Sequence, residues 1–392
     1  MKILQVIGSF PPAYSYGGPQ NVAYEVSKAL IKRGHEVTVY TTDVLDAKSR
    51  ASYNNPVLMD GIVVYHFKNL SNYLAYYCKI SSAIGIALKL RKDIENYDVL
   101  HVHDFRSVES AIACHYAVRH KVPYVLQTHG TLRSDNKKSL KRLFDALFGN
   151  RILKNASYVI AITKKEARQC KDCGIEADRI LLIPNGIDYS LYMDLPARNE
   201  FKDRYGINRD DIVILYLGRL DKTKKVDILL RAFSLINRQV SNSKLVIAGP
   251  DNGALTELKE LSLRLGEENV IFTGKLPESD KIKAYADADV FVTPSYSGFP
   301  VTFLEAMASG LPVVTTKDGD ELDWLERAGF IAEPDAVDLS DKILKIINDR
   351  ALHDRFGKEG KRLAEDKFCW DNIIVPVESA YMNSADKRCA LE

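Results

Sequence analysis

The stretch "DIVILYLGRLDKTKKVDILLRAF" (211–233) sets the reading of the whole chain. It opens with an apolar run of strand length, passes through a basic turn from Arg219 to Lys225, and enters a helical pattern that continues to Gln239. An apolar strand without polar alternation is buried on both faces. A helix that follows it directly covers one of them, so the unit is the repeat of a parallel, doubly wound sheet. Further strands follow at "SKLVIAGP" (243–250), "ENVIFTG" (268–274), "ADVFVTPS" (288–295) and "LPVVTT" (311–316). An earlier series runs through "KILQVIG" (2–8), a helix over 21–34 that stops at Gly34, "HEVTVYTT" (35–42), "GIVVYHF" (61–67), "DVLHVHD" (98–104), "PYVLQTHG" (123–130) and "SYVIAIT" (157–163). The two series meet near "LLIPNGIDYSLY" (181–192), where Asn185, Gly186 and Asp188 read as structural. The expectation is an α/β chain of two Rossmann-like sheets facing each other across a cleft, 1–184 and 185–369. "CWDNIIVPVESAYMN" (369–383) keeps helical apolar spacing despite Pro376.

With 392 residues, 46% hydrophobic and 27% charged, the chain can bury two cores. A formal net charge of +2 supplies no overall field to recruit nucleic acid, and none is expected as a partner. Six scattered cysteines exclude a disulfide scaffold and suit a reducing compartment. Cys170 and Cys173 form a C-x-x-C pair just ahead of Gly174. With no second pair to complete a zinc site, they read as two cysteines at a helix end. The N-terminal apolar stretch is short and runs into Pro11 and Pro12, unlike a signal peptide, and no run reaches the 18 apolar residues of a membrane span. The expected location is cytoplasmic. "DAD" (287–289) reads as structural and "DGD" (318–320) as a loop; neither is assigned a metal.

Sheets of this class bind ligands at the carboxyl ends of their strands. Neither half has G-x-G-x-x-G, which counts against a dinucleotide-dependent oxidoreductase. The loop after the first strand is "GSFPPAYSYGGPQN" (8–21). Its Gly17 and Gly18 offer bare backbone to a phosphate or sugar at a helix start, and Tyr16 beside them is a cleft candidate. Arg219 and Lys224 follow another strand and can hold a diphosphate, Arg bidentate and Lys as a point charge; the alternative is a solvated basic turn. In "PSYSGFPVTFLEAMASGLPVVTT" (294–316), Gly298 permits a sharp turn and the N–H groups from Gly298 to Phe303 form an anion site at a helix start. Glu305, read on the first turn, accepts from the vicinal hydroxyls of a ribose or else complements the helix dipole.

With "SYGGPQNVAYEVSKALIKRGHEVTVYT", "DVLHVHD", "IPNGID", "LGRLDKTKKVDILLRAF" and "GFPVTFLEAMASGLPVV", the chain resembles the family-4 retaining glycosyltransferases, which have the GT-B fold. The resemblance implies a donor-binding second half, an acceptor-binding first half, and a C-terminal helix (370–388) that returns to the first. Arg219 and Lys224 would hold and stabilise the leaving diphosphate, and Glu305 the ribose. Phe299, Pro300, Val301 and Thr302 would meet donor phosphate and sugar through their backbone. Gly17 and Gly18 would lie near the reacting centre. His103 would lie beside the transferred sugar, with Asp104 as a second orienting group and His129 as a further cleft candidate. Two positions depart from the pattern. Ser297 stands where the family often has a Glu that contacts the sugar, and Lys225 where a Gly is common. The implied activity moves a sugar from a UDP- or GDP-sugar to a glycan or lipid-linked acceptor in polysaccharide, glycolipid or glycoprotein glycan synthesis, with no cofactor or metal. Ser297 motivates the alternative of a sugar-nucleotide-binding protein with impaired catalysis. The segment 136–156 interleaves Lys137, Lys138, Lys141, Arg142, Arg151 and Lys154 with Leu140, Leu143, Phe144, Leu147 and Phe148. It reads either as a peripheral contact with anionic membrane or as a core helix with a solvated basic face.

Overall fold

The computed structural model of the chain describes residues 1–13, 18–52, 56–77, 81–132, 143–296, 298–317 and 322–389. Its contacts divide it into two units, Met1–Asn185 with Trp370–Glu392, and Gly186–Cys369.

Among the described residues the first unit has eight strands: β1 (Lys2–Val6), β2 (Glu36–Thr42), β3 (Val57–Met59), β4 (Ile62–Phe67), β5 (Val99–His103), β6 (Tyr124–Gln127), β7 (Tyr158–Ala161) and β8 (Ile180–Leu182). They lie in the order β3-β4-β2-β1-β5-β6-β7-β8, and every neighbouring pair is parallel except β3 with β4. Period-two alternation sends Leu4, Val6, Leu100 and Val102 to a core with the helices Gly85–Asp93 and Val108–Arg119. It sends Ile3, Val99 and Val125 to a second core with the helices Gly18–Lys32 and Trp370–Cys389. The second of these helices, interrupted by Pro376 without ending, is pinned by Arg33 and His35 to Glu378 and by Lys32 to Asp371.

The second unit has six strands among the described residues: β9 (Ile212–Leu217), β10 (Ser243–Ala248), β11 (Val270–Gly274), β12 (Val290–Thr293), β13 (Val313–Thr316) and β14 (Gly329–Ala332). Their order is β11-β10-β9-β12-β13-β14, all parallel. The helices Val226–Asn237, Leu255–Arg264 and Ala336–Asn348 share a core on one face. On the other, Phe291 meets Tyr285 and Phe303 from the helices Glu278–Asp287 and Val301–Ala308.

The two parallel α/β units are those read from the sequence; β3, β8 and β14 are additional. Strand order reverses between β1 and β5 in one sheet and between β9 and β12 in the other. Crevices open at such switch points because successive crossovers there leave in opposite directions. Among the described residues no helix is long and apolar enough to cross a membrane.

Candidate active site

The switch point of the second sheet gathers most of the residues singled out above. Chain leaving β9 passes Gly218 into Arg219, whose carbonyl accepts from the Tyr216 hydroxyl at 2.9 Å. Gly218 N–H bonds the Ala248 carbonyl at 2.9 Å, and Leu220 N–H the Pro250 carbonyl at 2.9 Å, so this loop is knitted to the one after β10. The Arg219 side chain is 63% exposed, 3.9 Å from Asp221. Asp221 caps the turn Lys222–Lys224 by accepting from Thr223 N–H at 3.0 Å. Lys224 is half-buried. Burial first and the Arg219 charge second lower the pKa of its ammonium, and Asp221 partly offsets them. The two cations repel each other, and an anion bound between them would relieve that repulsion. Lys225 has φ +50°, the left-handed conformation that a glycine adopts without cost and that a lysine enters under strain.

The loop after the adjacent strand β12 is braced from β13, where Thr315 Oγ1 donates to the Thr293 carbonyl at 2.7 Å and Thr316 Oγ1 to the Pro294 carbonyl at 2.5 Å. Gly298 turns the chain at φ +68°. Phe299 buries its ring against Trp324 and Phe368, at 5.8 and 5.6 Å between centroids, and so anchors the loop. The helix Val301–Ala308 then starts at Pro300, which supplies no N–H and no side-chain cap. Phe303 N–H returns to the Pro300 carbonyl at 3.1 Å, so Phe303 drops out of the expected set of free N–H groups, while Val301 and Thr302 at the helix start have no intrahelical partner. Glu305 is the fifth residue of this helix, on its second turn, so the first-turn reading and its dipole alternative are corrected. Its carboxylate accepts from Lys281 Nζ at 2.7 Å and from the Tyr285 hydroxyl at 2.8 Å. Burial alone would lower the Lys281 pKa, but Glu305 and Glu278 raise it. Ser297 lies outside the described residues.

In the first unit, Gly18 opens the helix Gly18–Lys32, and a Cβ there would meet nothing within 4 Å. Tyr16 and Gly17 lie outside the described residues. At the other side of this switch point His103 ends β5. Its ring is 0% exposed, with Nδ1 3.0 Å from His129 Nε2 and Nε2 3.1 Å from Gln5 Oε1. Both ring nitrogens are thus engaged by protein groups, and the ring supports Gln5 and His129. His101, two residues back on the same face, lies against it with ring centroids 3.9 Å apart and meets the Tyr381 hydroxyl through Nδ1 at 2.6 Å. The partly exposed groups at these strand ends are Asp104 and His129, with φ +74° and +49°. Non-glycine residues in left-handed conformation at adjacent strand ends mark a strained, over-determined edge. Burial, then Glu109, pushes the Asp104 carboxyl up to about 6, and burial pushes His129 down to about 3.

The His129 turn is held by a residue the sequence reading passed over. Thr163 caps the helix Lys164–Asp172 by accepting from Glu166 N–H at 3.2 Å. The Glu166 carboxylate accepts from Ile162 N–H at 2.8 Å, then crosses to β6 and takes the Thr128 hydroxyl and, at 2.6 Å, Gly130 N–H. The T-x-x-E spacing was visible as a cap, but its second target was not. Other sequence readings resolve simply. Cys170 is buried and Cys173 exposed, and both lie at a helix end. Asp287 of "DAD" accepts from three backbone N–H groups of residues 199, 201 and 202, and Asp289 from Val213 N–H, so both acids are structural. "DGD" (318–320) lies outside the described residues. Among those described, no group of three or more His, Cys, Asp or Glu is placed to hold a metal.

The histidine cluster makes stability pH-dependent. Burial, with His129, pushes His101 down to about 3, against about 6.5 in an unfolded chain. Between these values the unfolded chain binds protons that the folded one does not, so stability is full above pH 6.5 and falls as pH drops towards 3. At pH 5 this is worth about 2 kcal/mol for His101 alone. Asp104, raised to about 6, acts in the opposite sense and cancels when two proteins are compared. Denaturant melts at pH 7.5 and 5 should therefore show His101→Asn losing about 2 kcal/mol less than the wild type over that interval. Equal losses would contradict the cluster's neutrality.

Residues 16–191 match the model of Glycosyltransferase Family 4, and residues 197–363 that of Glycosyl transferases group 1. The chain is 27% identical to an uncharacterized glycosyltransferase of Methanocaldococcus jannaschii over 97% of this chain and 98% of that one. It is 25% identical to the N-acetyl-alpha-D-glucosaminyl L-malate synthase of Bacillus anthracis over 97% of each. Among solved structures it superposes on Anabaena Alr3699/HepE, crystallised with UDP and glucose, with a TM-score of 0.76 and 21% identity, covering 98% of this chain and 100% of that one. That likeness shows the GT-B fold.

Proposed function

Because the chain belongs to the family 4 glycosyltransferases, with the group 1 domain as its second half, we propose that it transfers a sugar from a nucleoside-diphosphate sugar to a glycan or lipid-linked acceptor with retention of anomeric configuration. The observation that carries the donor assignment is the Arg219–Lys224 pair at the switch point of β9 and β12. Breaking the bond between the anomeric carbon and the diphosphate leaves charge on the departing phosphate oxygens. Arg219 can take two of those oxygens side by side, and Lys224 meets the charge from a half-buried position. The N–H groups of Val301 and Thr302 add the positive end of a helix. These groups are fixed before the charge appears, so they favour the transition state without reorganising. We assign charge stabilisation to them, and the ribose hydroxyls to Glu305.

A sugar-nucleotide donor is supported by Anabaena HepE, crystallised with UDP-glucose, and a glycan acceptor by a relative named as a capsular polysaccharide biosynthesis glycosyltransferase of Staphylococcus aureus. In the first unit, Asp104 and His129 are proposed to orient the transferred sugar or acceptor, with His103 and Glu166 holding them. The helical run 143–155 exposes Leu143, Leu147 and Phe148 beside exposed Arg151 and Lys154, while Asp145 is tied to Arg106 at 2.7 Å. We assign this face to a peripheral contact with anionic lipid; residues 136–142 of the basic segment lie outside the described ones. The test of the transferase reading is turnover. Nucleoside diphosphate should be released from one class among UDP-, GDP- and ADP-sugars, and NMR of the product should show the donor's anomeric configuration kept. An inverted product would overturn retention, and nucleotide binding without turnover across a broad acceptor panel would favour the impaired-catalysis reading.

A further inference from the structure

Glu305 is gripped from a neighbouring helix. Lys281 and Tyr285 lie four residues apart on Glu278–Asp287, hence on one face, and each takes a different oxygen of the carboxylate. The Tyr285 ring is 0% exposed and packs against Phe291 at 5.9 Å and Tyr192 at 6.5 Å, which fixes its hydroxyl. Lys281 is held on its outer side by Glu278 at 2.8 Å. The Glu305 side chain retains 11% of its exposure and that of Lys281 15%, so the ion pair is nearly closed to water but not sealed.

An ionised carboxylate accepts about four hydrogen bonds, two per oxygen. Lys281 occupies one position on Oε1 and Tyr285 one on Oε2. Among the described residues one acceptor position is left on each oxygen, and the two donors, four residues apart on one helix, set the directions of both. Two adjacent acceptors so arranged match two adjacent hydroxyls and leave one acceptor unsatisfied when either hydroxyl is missing. A buried acceptor without its donor is costly, which turns the match into selectivity.

We propose that Lys281 and Tyr285 are positioning residues that set the pentose selectivity of the nucleotide subsite, aligning Glu305 to take both hydroxyls of a ribonucleotide and to reject the 2′-deoxy form. This rests on the assignment of Glu305 to the ribose. Titration calorimetry with UDP and GDP and their 2′-deoxy counterparts tests it. The wild type should prefer the ribo form of the nucleotide it binds by about 10- to 100-fold. Lys281→Met and Tyr285→Phe should each shrink that ratio by about fivefold or more, and Lys281→Arg should keep most of it. A ratio of two affinities from one preparation does not depend on the fraction folded, and Tyr285→Phe removes a single hydroxyl, so partial unfolding of Lys281→Met does not imitate the result. Weaker binding of both forms at an unchanged ratio in Lys281→Met and Tyr285→Phe would overturn the positioning role. Wild-type affinity and ratio in Glu305→Gln would instead sink the ribose assignment, and the proposal with it.

Discussion

Replacing Lys224 by alanine lowers the release of nucleoside diphosphate from the donor by about 10²- to 10³-fold, the cost of removing one preorganised group that meets developing charge. Lys224 is not an ordinary surface lysine. It is half-buried, burial and Arg219 work against its charge, and a nearby acid, Asp221, helps retain it. Such a cation gains most when a dianionic leaving group arrives. The same reasoning gives the sign of a control: removing one of two repelling charges leaves the stability of the free protein unchanged or slightly higher. Single-turnover release and a thermal melt on one preparation check both halves. Arg219→Lys should also lose activity, because an ammonium does not reproduce the two parallel bonds of a guanidinium. Unchanged release in Lys224→Ala would remove the diphosphate from this loop.

The second large effect is on stability. Gly249 follows β10 at φ +147°, and a Cβ there would lie 1.8 Å from the Gly218 carbonyl oxygen. The obstacle is backbone, held by the bonds that knit the β9 and β10 loops, so it does not yield as a flexible side chain would. Gly249→Ala should cost about 3–5 kcal/mol in denaturant unfolding, the range of severe backbone strain combined with overpacking. Gly253→Ala is the matched control. It also has positive φ, at +95°, but a Cβ there meets nothing within 4 Å. Only conformational strain remains, about 1–2 kcal/mol. Because Gly218 precedes Arg219, whatever remains folded in Gly249→Ala should also bind nucleotide more weakly. Equal costs at the two glycines would show that the close approach does not determine the effect.

How far the sequence reached can be traced in particular residues. Parallel strands buried on both faces must be apolar throughout, which is why "DIVILYL" and its fellows were legible. β8 and β14 were not: β8 runs straight into the Pro-Asn-Gly join at 184–186, and β14 opens on a glycine and ends before Glu333-Pro334. β3 did leave a signal: Asp60 and Gly61, at φ +48° and +81°, form the D-G turn that favours a hairpin with β4. At the site, Arg219, Lys224 and Gly298 stood out because turn residues follow apolar strands. The partners of Glu305 did not, because Lys281 and Tyr285 belong to a helix before β12 and meet it only after packing. His103 was placed correctly at a strand end, but its burial depends on Gln5 from β1 and on the turn after β6. The opposite register of Gln5 and His101 on neighbouring strands is a tertiary fact.

The central claim is that the second unit holds a nucleoside-diphosphate sugar, and ligand-induced thermal stabilisation tests it most directly. UDP, GDP, ADP, their sugars and NAD would each be added to the full chain. The account predicts that one nucleoside diphosphate and its sugars stabilise the protein, by about 2.7 kcal/mol at a hundred times the dissociation constant, and that NAD does not. Stabilisation by NAD alone would contradict it.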